Sequence, residues 1–386
     1  MSQATPSSGT AARTPLYDWH ASHGGRLVDF AGWLMPVQYT SIVAEHVATR
    51  TAAGLFDVSH MGRLRFDGPD AAAWLDSIVT RNVGRMTAGQ VRYSLITNDD
   101  GGILDDILVS RLADAAGGTY FLMVVNASNR PKILQWLAEH PPERPDVIMS
   151  DVTREWAMIA VQGPAALGLV QPLAGCDLSK MRYYTAVETL IAGHGGIISR
   201  TGYTGEDGFE LICGSAVAAS VWDMMIEKGG PAGVLPAGLG CRDTLRLEAA
   251  MPLYGHELSE AINPYQAGLG FAVDLKKGPF PGREALARLS ADETQPRRVG
   301  LEIEGKRIAR EGSAILVVGQ SSGPGSIGHV TSGTFSPTLE RTIAMGYVPP
   351  QHAAEGTRVA VDIRGRAQAA RIVKLPFYHK DSQGSA

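Results

Sequence analysis

Hydrophobic positions along the chain fall into short runs broken by polar turns rich in glycine and proline. Ile42, Val43, His46, Val47 and Arg50 follow a 3.6-residue stripe, which predicts a helix over Ser41 to Gly54. Ser41 can cap its start and Gly54 can terminate it. Leu55 to Met61 then reads as a strand leading into a turn, and Leu64-Arg65-Phe66 continues in alternation. Asp67-Gly68-Pro69 breaks the run, and Asp70 to Val79 forms a short helix. Tyr93 to Thr97, Ile107 to Ser110 and Tyr120 to Val125 are strand candidates, followed by a helix over Pro131 to Glu139. Pro131 falls in the first turn of that helix, where its missing N–H costs little.

The proline-rich stretch Pro141 to Pro145 interrupts the chain, and the same grammar then returns. Ala157 to Val161 reads as a strand, Gly163-Pro164 opens a helix ending near Val170, and Tyr183 to Leu190 and Ile197-Ile198 read as strands. Ser215 to Glu227 is a further helix. Phe66-Asp67-Gly68-Pro69 in the first half corresponds to Val161-Gln162-Gly163-Pro164 in the second, which suggests a duplicated α+β unit. From Arg298 to Lys374 the pattern changes to short β-rich runs between Gly/Pro turns, as expected of a small antiparallel barrel or sandwich. The expected organisation is a tail over residues 1–15, α+β regions over 16–145 and 146–289, a β-barrel over 290–378 and a tail over 379–386.

Composition narrows the class. At 386 residues the chain exceeds one ordinary core, so two or three domains are expected. The formal charge of −4 implies no strong field toward nucleic acid or membrane surfaces. Cys176, Cys213 and Cys241 are odd in number and form no C-x-x-C pair, which argues against a disulfide scaffold or structural zinc and fits a cytoplasmic location. The first residues lack the apolar core of a secretory signal, and no apolar run is long enough to predict a transmembrane helix.

Several segments could carry chemistry. Ser199 to Glu210 packs three glycines, two threonines, an arginine and three acids between two apolar runs. It reads as strand, tight polar loop, strand, and suits either a ligand-facing loop or a hydrogen-bonded turn. Asp105 and Asp106 follow Gly101-Gly102 at the start of a strand, where neighbouring residues point to opposite faces. One of them can face a pocket and hold a cationic nitrogen or guide its proton; an exposed acidic turn is the alternative. Asn126 ends a strand with both a donor and an acceptor, suited to the edge of a heteroaromatic ring. Asn129 is placed instead to cap the next helix. Arg242 and Arg246 share a helix face, suited to a carboxylate ligand or to an ion network with Asp243 and Glu248. His60 lacks a metal-type partner spacing and reads as a structural histidine making a buried turn hydrogen bond. No P-loop pattern is present.

Taken together, Leu55 to Gly62, Gly101 to Asp106, Val124 to Asn126, Arg200 to Glu210, Gly238 to Glu248, Pro252 to Leu258 and Ile327 to Gly333 resemble the aminomethyltransferase family, the T-proteins of the glycine cleavage system. The resemblance runs from about Leu16 to Tyr378. It implies an α+β, three-domain cloverleaf with two ferredoxin-like units and a C-terminal small β-barrel around a central folate pocket. It implies transfer of a one-carbon unit from aminomethyl-dihydrolipoyl H-protein to tetrahydrofolate, releasing ammonia and forming 5,10-methylenetetrahydrofolate. The lipoylated H-protein would be a transient partner, tetrahydrofolate the co-substrate, and no metal, flavin or nicotinamide is expected. By the same resemblance, Asp106 is the critical carboxylate near the folate amine nitrogens, and Glu210 holds the pterin edge. Asn126 and Tyr203 line the pocket, and Arg242 orients the folate. The alternatives are a tetrahydrofolate-dependent demethylase of the same superfamily, or a folate-binding iron–sulfur assembly protein. The second would carry a cysteine where this chain has Arg200-Thr-Gly-Tyr-Thr-Gly-Glu-Asp.

Overall fold

The computed structural model describes residues 11–114, 116–319 and 325–380. Residues 1–10 and 381–386 of the two expected tails lie outside them. Ala12 and Arg13 pair in parallel with Trp33 and Leu34, so strand structure begins before the expected boundary at residue 16.

Two sheets form the body. The first has the strand order Val91–Thr97, Ile103–Ala113, Thr119–Val125, Gly62–Asp67, Ile148–Asp151. The second runs Ala186–Ile191, His194–Ser199, Gly208–Gly214, Trp156–Gln162, Gly54–Asp57, Leu235–Pro236. Period-two alternation places each sheet between two cores. Leu64, Phe66, Phe121 and Met123 face outward and pack under helices Ala71–Ile78 and Arg130–Glu139. Leu55, Ile159, Phe209 and Leu211 do the same under helices Ala166–Val170 and Ala218–Gly229, whose Trp222 is fully buried. The intervening residues Phe56, Leu122, Val124, Met158, Ala160 and Ile212 meet in a shared core between the sheets. Each of the larger side chains contributes roughly 1.5–3 kcal/mol by burial. The result is helix, sheet, sheet, helix.

The repeated Gly-Pro grammar has a common geometry in the two halves. Gly68 and Gly163 both follow a strand and take positive φ, at 109° and 132°. A Cβ on Gly68 would lie 2.1 Å from the Asp146 carbonyl oxygen, and one on Gly163 would lie 2.5 Å from that of Thr49 and 2.6 Å from that of Ala52. Only glycine fits where the chain turns this tightly under a neighbouring backbone.

The sheets interleave across the expected division at residues 145/146. Strand Ile148–Asp151 pairs with Gly62–Asp67 in the first sheet, while Gly54–Asp57 pairs with Trp156–Gln162 in the second. Gly54 therefore starts a strand and does not terminate the preceding helix, which covers Ile42–Thr51 and is capped by the Ser41 side chain accepting from the Ala44 N–H at 3.1 Å. Tyr183 and Tyr184 precede their expected strand, which spans Ala186–Ile191.

The last unit is a closed barrel of strands Arg297–Ile303, Ala314–Val317, Ser326–Ser336, Arg341–Val348, Arg358–Asp362 and Ala367–Val373. It sits on helix Leu239–Glu248 through Leu247, Ala250, Ile343 and Met345. Among the described residues no helix is long and apolar enough to cross a membrane.

Candidate active site

The acid pair lies at the start of strand Ile103–Ala113. A bulge opposite Ile96/Thr97 interrupts its ladder just before Asp105, a device that re-aims side chains. Gly102 locks this end: a Cβ there would lie 1.8 Å from the Glu260 carbonyl oxygen, and the next residue, Ile103, donates its N–H to Ile262 O at 3.0 Å.

Asp105 is completely buried. Its carboxylate accepts from the Asn126 backbone N–H at 3.0 Å, from Asn126 Nδ2 at 2.8 Å and from Asn129 Nδ2 at 2.6 Å. Asp106 is half-buried. It accepts from Asn126 Nδ2 at 2.7 Å on one oxygen and from the Tyr93 hydroxyl at 3.1 Å on the other. Neither acid has a cation within ion-pair distance among the described residues. Burial, then the charge of Asp106, raise Asp105 to about 8 against the pull of its amide donors. Burial also raises Asp106, opposed by Asn126 and Tyr93. The pair is tightly coupled, so its protons belong to both acids jointly.

Asn126 thus spends its amide N–H group on holding the two acids together. Asn129 sits at the N-cap position of helix Arg130–Glu139 but makes no capping bond, contrary to its expected role. Its side chain is spent on Asp105 instead.

The second wall comes from the loop after Ser199 and from helix Leu239–Glu248. Glu210 is buried in strand Gly208–Gly214, and its Oε2 accepts from Thr201 Oγ1 at 2.5 Å. Burial raises its carboxyl, opposed by Thr201 and by the positive charge of Arg242. Arg242 lies over the Tyr203 ring at 4.8 Å, and its enclosed Nη1 has no acceptor among the described residues. The Tyr203 hydroxyl is committed to the Pro252 carbonyl at 2.5 Å, which leaves its ring as the contact surface. Arg246 has a different fate from Arg242. It is buried and pairs with Asp243 at 2.8 Å and with Glu257 at 2.7 Å, and Nη2 reaches Ser332 Oγ at 2.7 Å in the barrel. Of the two readings that spacing left open, Arg246 enters an ion network, with Asp243 as expected but with Glu257 in place of Glu248, while Arg242 forms no ion pair among the described residues.

Burial raises Tyr203, Tyr184 and Tyr183, and electrostatic influence across the walls adds to it: Asp106 acts on Tyr203 and Tyr184, and Glu210 on Tyr183 and Tyr184. Tyr93, Tyr183 and Tyr184 carried no sequence signal, because a lone tyrosine in or beside a strand is ordinary. His60 is buried, but its Nδ1 finds no partner among the described residues, unlike the satisfied turn histidine expected. Burial pushes it down to about 4, so it is neutral at physiological pH.

Comparison with known proteins identifies the family. Residues 16–277 match the GCVT N-terminal domain, and residues 297–379 match the glycine cleavage T-protein C-terminal barrel domain. An aminomethyltransferase of Rubrobacter xylanophilus is 49% identical over 382 residues, covering 98% of each chain. One from Streptomyces avermitilis is 47% identical, covering 97% of this chain and 99% of its own. The crystal structure of glycine cleavage system aminomethyltransferase T from Bartonella henselae superposes with a TM-score of 0.86 at 32% identity, covering 96% of this chain and 99% of that one. The class is a one-carbon group transferase of mixed α+β architecture with a terminal barrel. The chain belongs to the T-protein family, the aminomethyltransferases of the glycine cleavage system.

Proposed function

We propose that aminomethyl transfer takes place between Asp106 and Glu210, with tetrahydrofolate as the acceptor and the aminomethyl group delivered on the lipoyl arm of an H-protein. The cloverleaf with two ferredoxin-like units around a folate pocket is part of the same reading. The observation that carries it is the pairing of Arg242 and Glu210. They influence one another electrostatically but form no ion pair, and each keeps a polar atom uncommitted in a largely enclosed wall. A planar heterocycle bearing both donors and an acceptor along one edge suits such a wall, with the Tyr203 ring against its face.

Tetrahydrofolate would supply two nucleophilic nitrogens. The methylene carbon exchanges its bonds to sulfur and to the amino nitrogen for bonds to these two. Their protons end on the dihydrolipoyl sulfur and on ammonia, so no oxidant or reductant is required. Glu210 would accept from the N–H edge of the ring, and Arg242 would donate to its oxygen. Asp106 faces the reacting nitrogens with a carboxylate whose proton affinity is raised by burial, suited to moving a proton and to holding positive charge. Asn126 and Tyr93 fix its two oxygens. Asp105, enclosed by amides, is a positioning residue. The chemistry belongs to the cytoplasm of a cell that also makes the lipoylated carrier.

The test is tetrahydrofolate-dependent ammonia release from aminomethylated H-protein. Asp106→Asn keeps the shape and removes the charge, so kcat should fall by about 10²-fold or more. Tetrahydrofolate affinity by calorimetry should change little. Glu210→Ala should show the reverse emphasis, weakening tetrahydrofolate binding by roughly 1.5–3 kcal/mol for each hydrogen bond lost from the ring edge. Near-parent turnover in Asp106→Asn would overturn the carboxylate role.

A further inference from the structure

The shared core between the two sheets ends in a hole. Sheets packed face to face stand about 10 Å apart and need side chains from both inner faces to fill the gap. At one corner two strands of the second sheet supply none. Ile197 and Ile212 point into the shared core, so Gly195 and Gly214, two residues away on the same strands, lie on that face. A Cβ added to either glycine would meet nothing within 4 Å. The resulting cavity holds about 140 Å³ and is walled by Arg65 and Tyr120 from the first sheet and by Trp156 and Glu188 from the second. It opens to solvent at Glu188 and Gly195, which are exposed. It is separate from the site of the acid pair. Tyr120 lies near the start of strand Thr119–Val125, and Asn126 follows the other end of that strand, roughly 20 Å away.

The charged walls are held in place but not spent. Arg65 donates Nε and Nη2 to Asp67, both at 2.8 Å, and lies 3.8 Å over the Tyr120 ring, so its Nη1 has no hydrogen-bond partner among the described residues. Glu188 accepts from the buried Tyr120 hydroxyl at 2.6 Å on Oε2, and its other oxygen likewise has no partner among the described residues. The hydrogen bond to Asp67 does most to raise Arg65, and the charge of Glu188 adds to it from beyond ion-pair distance. Opposite charges on the walls of one cavity, each fixed by a third group and not by the other, are preorganised for a ligand that carries both signs. Size selects further. The volume is that of about five waters, which admits a molecule the size of glycine or serine and excludes long side chains. We propose that this corner is a binding site for a small α-amino acid zwitterion, with its carboxylate on Arg65 Nη1, its ammonium on the free oxygen of Glu188 and its carbon against Trp156. Binding there makes and breaks no covalent bond and does not depend on the reaction at Asp106.

The test is calorimetric titration of the full chain with glycine, L-serine, L-leucine, methylammonium and acetate. Glycine and L-serine should bind with Kd on the order of 1 mM, as suits so few atoms. L-leucine should not fit, and methylammonium and acetate, with one charge each, should bind about tenfold or more weaker than glycine. Glu188→Gln keeps the shape and removes the charge, and Gly195→Leu fills the cavity from a position where a side chain has open space. Each should weaken glycine by about tenfold or more. Glu210→Gln, at the other place where unpaired opposite charges stand, should leave glycine affinity within about twofold of the parent. No binding of glycine up to about 50 mM would overturn the site. So would glycine affinity unchanged in both Glu188→Gln and Gly195→Leu, or lost in Glu210→Gln alone. Acetate or methylammonium binding as tightly as glycine would overturn the zwitterion.

Discussion

Two clusters of buried acids stand in the same body and behave in opposite ways. Asp105 and Asp106 are held only by amide and phenol donors, and both carboxyls are raised. Glu248 is fully buried but meets the guanidinium of Arg50. Arg50 Nη2 reaches it at 2.7 Å and His46 Nε2 at 3.2 Å, and the Ser336 hydroxyl also donates to it. Burial pushes Glu248 up, yet these partners overcome it and hold it at about 2. What separates the clusters is charge compensation, since burial alone acts on both in the same direction. The paired cluster is a structural clasp. Arg50 also binds Glu206 at 2.8 Å and lies over the Tyr378 ring at 3.9 Å, so one guanidinium ties together a helix, the loop after Ser199 and the C-terminal segment, while Glu248 brings in the barrel. The uncompensated cluster keeps protons exchangeable near neutral pH, which is what proton transfer requires.

The largest break in this comparison should come from removing the shared cation. Arg50→Met leaves Glu206 and Glu248 buried without their main partner, and unfolding in urea should show a loss of about 3–5 kcal/mol. Removing one acid from the Asp105–Asp106 pair leaves no uncompensated charge, so Asp106→Asn should cost far less stability than Arg50→Met. Equal losses would mean that the two clusters do not differ in kind.

Much of this was legible in the chain, and the exceptions have physical causes. The strand, Gly-Pro, helix repeat was readable because a glycine under a neighbouring carbonyl and a helix-starting proline are local requirements. The strand-rich end was equally readable, and strands Arg297–Ile303 to Ala367–Val373 close as a barrel. The exchange of strands Gly54–Asp57 and Ile148–Asp151 between sheets was not, because both faces of either sheet are buried and hydrophobic pattern alone does not choose a partner. At the site, adjacent acids after two glycines and an arginine pair on one helix announced themselves. Which acid is fully enclosed depended on a bulge, and which arginine is spent on the barrel depended on Glu257 and Ser332, far away in sequence. Asn129 looked like a helix cap by position, but a buried carboxylate needs its N–H more than an open helix end does.

The second test uses acid. Glu248 is lowered on folding from an ordinary value of 4.5 to about 2. A depressed carboxyl contributes stability that is present above its unfolded pKa and lost as pH falls through the folded one. Between pH 4.5 and 2 the parent should therefore lose about 3 kcal/mol through this group. Glu248→Gln should be less stable than the parent above that window, and the gap should close across it. A gap that stays constant with pH would show that Glu248 is not held ionised by Arg50 and His46.

The smallest effect addresses the other cluster and has the opposite sign. Asp105 is raised on folding from 3.8 to about 8, so the stability it contributes is fully present below pH 3.8 and declines as pH rises through about 8. Its ionised form depends on amide donors, one of which is Asn129 Nδ2 at 2.6 Å. Asn129→Ala removes that donor and disturbs no helix cap, because the side chain makes none. The cost should be about 1.5 kcal/mol once Asp105 is ionised, above pH 8, and less near pH 5, where the pair retains its protons. Urea unfolding of parent and variant at the two pH values measures it. A cost as large at pH 5 as above pH 8 would mean that Asp105 is already ionised in weak acid, and would move the exchangeable proton of the pair to Asp106.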